Sequence, residues 1–202
     1  MITIIDYGMG NLRSVEKIFH RLNIPAKITS LPSEILKAER LLLPGVGHFA
    51  TGIKKLNESG IKDILKQRVL SDKVPILGIC LGMQLMTNFS EEGDIEGLGW
   101  IEANTYKFNF EKGKLKTPHM GWNGVEVKKQ TVLSQSVDSS NLFYFVHSYY
   151  VKCKHDSDIL FETTYGHSFV SSFERGNIVG MQFHPEKSYK SGMQLIQNFL
   201  KK

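Results

Sequence analysis

The sequence predicts an α/β fold in three layers, a mostly parallel central sheet flanked by helices, with an antiparallel extension. Three observations predict it. From Ile2 to Phe89, short apolar runs alternate with segments of helical period, the pattern of strands joined by crossover helices. From Trp100 to Phe183 the helical period gives way to a succession of short strand-like runs. A final helical stripe, Met193, Ile196, Phe199 and Leu200, closes the chain. No repeat, low-complexity tract or Pro/Gly/Ser-rich linker divides the sequence, so 1–202 is expected to form one domain, long enough at 202 residues to close a core without staples.

In order, Ile2 to Ile5 reads as a first strand, and Leu12, Val15, Ile18, Phe19 and Leu22 as the buried stripe of a helix that Pro25 closes. Ala26 to Thr29 and Arg40 to Leu43 read as the next two strands, the latter ending at Pro44-Gly45. Helical period returns at Ile53–Leu56 and Ile61–Leu70. Val74 to Ile79 is a buried strand that runs directly into a helix expected from Leu81 to Phe89. The second half is expected to hold strands at Ile101–Phe110, Gly124–Val127, Leu142–Val146, Ile159–Thr164, Ser168–Phe173 and Ile178–Gln182.

Composition excludes several classes. With 41% hydrophobic and 22% charged residues the chain is that of an ordinary soluble protein. No apolar run approaches the ~18 residues of a membrane span. The opening Met1-Ile2-Thr3-Ile4-Ile5-Asp6 reads as a strand rather than a signal, and a cytoplasmic protein is expected. Cys80 and Cys153 cannot build a disulfide framework and neither has a zinc or redox spacing. Net charge is +5, with its densest group at Lys107, Lys112, Lys114 and Lys116 among Tyr106, Phe108 and Phe110. We read this as a hairpin about Gly113 with edge lysines that oppose aggregation, and expect no nucleic-acid partner.

The sharpest local signal is Gly78-Ile79-Cys80-Leu81-Gly82, a nucleophile elbow written with cysteine. A strand-to-helix turn strains the nucleophile's backbone, and side chains at Gly78 or Gly82 would collide with the turn or its neighbours. A cysteine at a helix N-terminus also favours the thiolate, the form that attacks. Ile178 to Phe183 then leads to His184, Pro185 and Glu186. Pro185 turns the chain, so that Glu186 can return against the imidazole, fix its tautomer and steady its charge while His184 carries protons. The chain order, cysteine then histidine then glutamate, differs from that of α/β-hydrolases. Leu42-Leu43-Pro44-Gly45-Val46-Gly47 ends the third strand in a glycine-bracketed loop. Leu81 is expected to supply one oxyanion N–H, and this loop a second.

Pro44-Gly45-Val46-Gly47, Gly78-Ile79-Cys80-Leu81-Gly82-Met83-Gln84 and His184-Pro185-Glu186 together resemble the class I (triad-type) glutamine amidotransferases, over essentially the whole chain. Asp6-Tyr7-Gly8-Met9-Gly10-Asn11, Pro118-His119-Met120-Gly121-Trp122-Asn123 and Tyr144-Phe145-Val146-His147-Ser148-Tyr149 are similar to the glutaminase subunits of imidazole glycerol phosphate synthases. Arg13 stands where a dinucleotide loop would need its third glycine, so Gly8-Met9-Gly10 is not read as an NAD site.

The resemblance implies the class I amidotransferase fold, with Cys80 as nucleophile, His184 as base and Glu186 as its orienting acid. It implies that Gln84 and the Ser148-Tyr149 backbone hold glutamine. Gly45, Val46 and Gly47 would form an oxyanion strand whose peptide at Val46 flips to become competent. Asn11, Trp122, Tyr144 and Lys187 would face the partner of a heterodimer, a (β/α)₈ cyclase that takes the ammonia through its barrel. The products would be imidazole glycerol phosphate and an aminoimidazole carboxamide ribotide, and the glutaminase would need no cofactor or metal. His48 departs from the small residue expected there. Three readings stand beside this one: a paralogous subunit feeding ammonia to a sugar amidotransferase, a cysteine peptidase or deglycase of the same broad fold, and an inactive scaffold.

Overall fold

The computed structural model describes residues 1–111 and 115–202. In its first half, strands β1 (Ile2–Ile5), β2 (Ala26–Thr29), β3 (Leu41–Leu43) and β4 (Ile76–Ile79) alternate with helices α1 (Leu12–Arg21), α2 (Pro32–Ile35), α3 (Phe49–Glu58) and α4 (Lys62–Lys66). Helix α5 (Leu81–Leu85) follows β4. The second half holds β5 (Phe89–Ser90), β6 (Ile95–Glu96), β7 (Ala103–Lys107), β8 (His119–Gly124), β9 (Glu126–Val127) and β10 (Leu142–His147). After these come β11 (Tyr149–Cys153), β12 (Ile159–Tyr165), β13 (His167–Arg175), β14 (Ile178–Met181) and α6 (Tyr189–Phe199).

The main sheet runs β2-β1-β3-β4-β14-β13-β11-β7-β5-β6, with β12 paired to β13 and β9. From β2 through β14 its neighbours are parallel. The last strand of the chain therefore lies beside β4, which brings a distant segment next to the elbow. The strands β3, β4 and β14 all release their chains at one edge, where ligands bind open α/β sheets. β8 and β10 form a separate antiparallel ribbon.

Alternating side chains send each central strand into two cores. Ile5, Leu41, Leu43 and Ile76 pack with Phe49, Ile53, Leu56 and Leu65 of α3 and α4 on one face. Ile2, Ile4, Leu42 and Leu77 pack with Val15, Ile18 and Phe19 of α1 and with Leu195, Ile196 and Phe199 of α6 on the other. The period-2 pleat makes this division, and it explains why these strands read as continuous apolar runs. Phe19 is fully buried, and removing such a side chain from water contributes about 1.5–3 kcal/mol. Among the described residues no helix is long and apolar enough to cross a membrane.

The differences from the sequence reading have local causes. α5 stops at Leu85 instead of reaching Phe89, because a returning segment takes the carbonyls beyond: Leu98 N–H donates to Leu85, Trp100 to Met86 and Gly99 to Thr87. The helix expected over Ile61–Leu70 widens into a π-helical turn at Gln67–Ser71. The strand expected at Ile101–Phe110 is confined to Ala103–Lys107, while β8 and β11 were not anticipated. β8 carries Gly121, Gly124 and no β-branched residue, so pairing with β10 rather than local propensity makes it a strand. The turn of the hairpin expected about Gly113 lies outside the described residues.

Candidate active site

β4 delivers Cys80 to the carboxyl edge of the sheet with φ 53° and ψ −110°, a backbone state that side-chain-bearing residues rarely take. Such a residue stores roughly 1–3 kcal/mol and persists only where its surroundings hold it. They do: the Cys80 N–H donates to Met181 on β14 at 2.7 Å, and the Cys80 carbonyl accepts from Gln84 at 3.2 Å. The flanking glycines are required by close approach. A Cβ at Gly78 would lie 2.7 Å from the Gly82 carbonyl oxygen, and one at Gly82 only 1.9 Å from that of Leu43.

His184 lies just past β14. Its N–H donates to the Tyr144 carbonyl at 2.9 Å, and its carbonyl accepts from Lys187 at 3.0 Å and from the Ser188 hydroxyl at 2.6 Å. The 3₁₀ turn Pro185–Lys187 folds Glu186 back, so that Nδ1 of His184 meets Oε1 of Glu186 at 2.7 Å with both side chains 3% exposed. The imidazole is thus tied through Nδ1. Nε2 is sealed from solvent and meets no partner of standard hydrogen-bond geometry, yet the ring interacts with the Cys80 sulfur. Burial opposes a charge on the ring, but the contacts with Cys80 and then Glu186 outweigh it and push its pKa up to about 10. An arrangement with a tethered imidazole, a sulfur in its reach and an unsatisfied buried nitrogen can accept and return a proton.

These groups open on a cleft of about 330 Å³, lined by Val46, Gly47, Leu81, Tyr149 and Ser148 as well as Cys80, Gln84 and His184. The volume is at the small end of the range for small-molecule sites, the scale of an amino acid. Gln84 sits on α5 with both amide hydrogens engaged, by the Tyr149 carbonyl at 3.1 Å and by Oε1 of Gln182 at 2.9 Å. What it can offer a ligand is its carbonyl oxygen. The Ser148 carbonyl accepts from Phe108 at 3.0 Å, and the Tyr149 carbonyl from Gln84 and the His147 ring, so these carbonyls shape the wall of the cleft.

The loop Gly45–Gly47 borders the cleft and is braced from behind. The Tyr7 hydroxyl donates to the Pro44 carbonyl at 2.8 Å, and burial followed by the neighbouring Cys80 charge raises its pKa. A Cβ at Gly45 would strike that hydroxyl at 2.7 Å, and Gly47 has φ +108°. His48 caps α3, its Nδ1 accepting from Ala50 at 3.2 Å, the role a small polar residue ordinarily fills.

Trp122 and Tyr144 are register partners across the β8–β10 ribbon, with ring centroids 5.9 Å apart. Trp122 also stacks on Tyr189 at 5.3 Å, and Lys187 lies 5.4 Å from the Tyr144 ring centre. The exposed Met120, Trp122, Leu142 and Tyr189 and the half-buried Tyr144 form an apolar surface, and the Tyr144 carbonyl links it to the His184 N–H. Asn11 is the N-cap of α1, its side chain accepting from the Ser14 N–H at 3.2 Å. Sequence reasoning missed Tyr7, Glu92, His147 and Gln182. Gln182 alone left a signal, standing two residues before His184, and its Nε2 lies 3.7 Å from Cys80 Sγ. Glu92 lines the cleft and accepts from the Phe49 N–H at 2.7 Å. Among the described residues no group of three or more His, Cys, Asp or Glu side chains could hold a metal ion.

The model of the family "Glutamine amidotransferase class-I" matches residues 3–202. The chain is 50% identical to "Imidazole glycerol phosphate synthase subunit HisH 2" of Methanococcus maripaludis, covering 100% of this chain and 99% of that protein. It is 49% identical to subunit HisH 1 of Campylobacter jejuni over the full length of both. It is 43% identical to subunit HisH 2 of Pseudomonas aeruginosa, over 99% and 98%. A crystal structure of a glutamine amidotransferase superposes with TM-score 0.77 at 19% identity, covering 100% of this chain and 98% of that one. The structure of PurLQS from Thermotoga maritima superposes with TM-score 0.73 at 15% identity, over 99% and 97%. At these identities the two structures speak for the fold.

Proposed function

The chain belongs to the class I glutamine amidotransferase family, and from that premise we propose that it is the glutaminase subunit of imidazole glycerol phosphate synthase. It hydrolyses glutamine to glutamate and ammonia and passes the ammonia to a cyclase subunit. The observation that carries the chemistry is the buried 2.7 Å contact between His184 and Glu186 beside Cys80 at a strained elbow. Full-length relatives at 43–50% identity support the assignment to histidine biosynthesis.

With the thiol's proton already held on Nε2 of His184, Cys80 Sγ attacks as thiolate on the side-chain amide carbon of glutamine. The oxyanion is met by the Leu81 N–H and by a second N–H from Gly45–Gly47, once the peptide at Val46 has turned. His184 returns the proton to the leaving nitrogen, and ammonia departs from a glutamyl thioester. Water, deprotonated by the same imidazole, frees glutamate. Gln84 offers its carbonyl to the substrate, and Glu92, an acceptor at the cleft, suits the α-ammonium. The whole chain serves as one cytoplasmic domain. Its partner is a (β/α)₈ barrel docked over Trp122, Tyr144, Lys187 and Asn11.

Completing the oxyanion hole only when the partner holds its ligand would restrain wasteful hydrolysis, since one donor is worth about 10²–10³ in rate. The experiment measures glutamine turnover by the free chain, with the cyclase, and with cyclase plus ligand. A stepwise rise is expected, abolished in Cys80→Ala; equal rates in all three would remove the gate. A paralogue serving a sugar amidotransferase would use the same glutaminase chemistry and is the second reading. Rescue of a histidine auxotroph separates the two.

A further inference from the structure

The inner face of the β8–β10 ribbon carries two histidines that the steps above do not use. His119 and His147 are register partners across the ribbon, both buried, with Nδ1 of His119 3.0 Å from Nε2 of His147. Their surroundings admit one arrangement of protons. The Tyr149 carbonyl can only accept, so His147 donates to it through Nδ1 at 2.7 Å. In a neutral ring Nε2 is then the acceptor, and His119 Nδ1 the donor. His119 Nε2 accepts in turn from Nδ2 of Asn123 at 3.3 Å. That amide nitrogen also donates to the Thr164 carbonyl at 3.0 Å, while Oδ1 takes the Gly124 N–H at 2.9 Å, so Asn123 cannot turn over without losing both. Burial holds His119 down to about 4. Burial, with repulsion from His119 and His184, outweighs the Tyr149 hydrogen bond and holds His147 down to about 3. His119 is also clamped between Phe145 and Tyr165, with ring centroids 4.7 and 4.1 Å away.

The chain of contacts continues to the sulfur. The carbonyl of Tyr149 accepts a second hydrogen bond, from Gln84 Nε2, whose other hydrogen goes to Gln182 Oε1. With its oxygen so held, Gln182 aims Nε2 at Cys80 Sγ, 3.7 Å away. We infer that His119 and His147 are positioning residues of this site: by holding the Tyr149 carbonyl they hold Gln84 and Gln182, and with them an amide N–H directed at the thiol. The inference rests on the reading of Cys80 as nucleophile and adds the support that reading lacks. A buried polar chain fully satisfied in one tautomer is rigid, and each broken link leaves an unpaired group in the protein interior. Because Trp122 and Tyr144 project from the opposite face of the same ribbon, the surface proposed for docking and the support of the thiol share two strands.

The test is the pH profile of Cys80 alkylation by iodoacetamide in the full chain, with melting temperature measured beside it. An N–H directed at the sulfur favours the thiolate, so losing its alignment moves the midpoint of alkylation upward. His184, Glu186 and Tyr7, with Glu92 and Tyr149 of the cleft, are titratable groups near the thiol and stay unchanged in the His147 and His119 variants. His147→Phe removes the donor to Tyr149 and should raise the midpoint and lower glutamine kcat on the order of tenfold to a hundredfold. His147→Asn places an amide N–H where Nδ1 stood and should restore most of both. If His147→Phe fails to fold, His119→Phe, which keeps the ring stack but breaks the link to His147, carries the test with a smaller upward shift. A midpoint unmoved in the folded phenylalanine variant, or moved equally by His147→Asn, overturns the inference. Wild-type alkylation that does not respond to His184→Ala would instead overturn the nucleophile assignment.

Discussion

The parallel half of the molecule and its antiparallel extension hold their functional groups by different means. In the parallel half, position is set by backbone against backbone: Cys80 is pinned by the Met181 carbonyl, and Gly82 lies so close to Leu43 that a methyl has no room. In the extension, position is set by side chains that hydrogen-bond across strands, as in His119, His147 and Asn123. Backbone contacts allow almost no adjustment, whereas side-chain links can be replaced one at a time with graded loss. The reactive atoms therefore sit where geometry is least forgiving, and the surface proposed for the partner sits where the structure can respond. Four expected outcomes put this contrast at risk.

The largest effect belongs to the link where the two regions meet. Glu186→Gln keeps the shape of the contact with His184 but removes its charge, and glutamine kcat should fall on the order of 10²–10⁴-fold. The imidazole should also lose part of its raised pKa. His184 titrates at about 10 in the folded chain against 6.5 for an ordinary histidine, so folding binds a proton between those values. The stability this contributes is full below pH 6.5 and lost as pH rises through about 10. In the variant that loss should begin at lower pH, which an NMR titration of the His184 ring and unfolding at several pH values would both report. An unmoved ring titration would mean that Glu186 orients without stabilising the charge.

Next comes a pair of glycines, one from each region. Gly82→Ala would place a methyl 1.9 Å from the Leu43 oxygen, and the expected loss is about 3 kcal/mol or more. Gly176, in the β13–β14 turn, has φ +57° but open space around it, so Gly176→Ala should cost only about 1 kcal/mol of backbone strain. Urea unfolding of both variants measures the difference, and equal losses would erase the contrast between the two regions.

The same contrast explains what was legible in the sequence. The β1–β4 strands, the elbow, the glycine-bracketed loop and His184-Pro185-Glu186 could all be read, because each is encoded locally by apolar runs, glycine spacing or a proline turn. Gly78 and Gly82 prove necessary for the reason their spacing suggested, close approach to neighbouring backbone. β8 and β11 could not be read so. β11 buries only Val151 among Tyr149–Cys153 and has no clean alternation to betray it. Tyr7 acts on a carbonyl from a remote segment and His147 meets His119 across the ribbon, and no local pattern announces such contacts. The end of α5 is set by N–H donors that arrive from Leu98, Gly99 and Trp100, which its own sequence does not encode. Where a residue's role depends on what the chain brings back later, composition and period are silent.

On the ribbon's open face the expected effect is smaller and confined to association. Trp122 is 45% exposed, stacked on Tyr189 and edge-on to Tyr144, the kind of aromatic anchor that dominates interfaces. Trp122→Ala should weaken cyclase binding by about 2 kcal/mol, roughly thirtyfold, while leaving the free chain's unfolding almost unchanged. Calorimetric titration with the cyclase measures the first and thermal unfolding the second. A variant that destabilises the free chain as much as the complex would make Trp122 a structural residue.

The smallest effect tests the strain itself. Cys80→Ala and Cys80→Gly both remove the sulfur, and both should abolish glutaminase activity, so comparing them isolates the backbone. In an ordinary element glycine is the less stable of the two by roughly 0.5–1 kcal/mol. At φ 53° and ψ −110° alanine keeps the strain of the native residue and glycine does not. With about 1–3 kcal/mol stored there, the order should reverse, and Cys80→Gly should unfold at higher urea concentration than Cys80→Ala by about 1 kcal/mol. A normal order would mean that the elbow is relaxed. The hydrogen bond to Met181 and the packing of Gly78 and Gly82 would then place the nucleophile without holding it in tension.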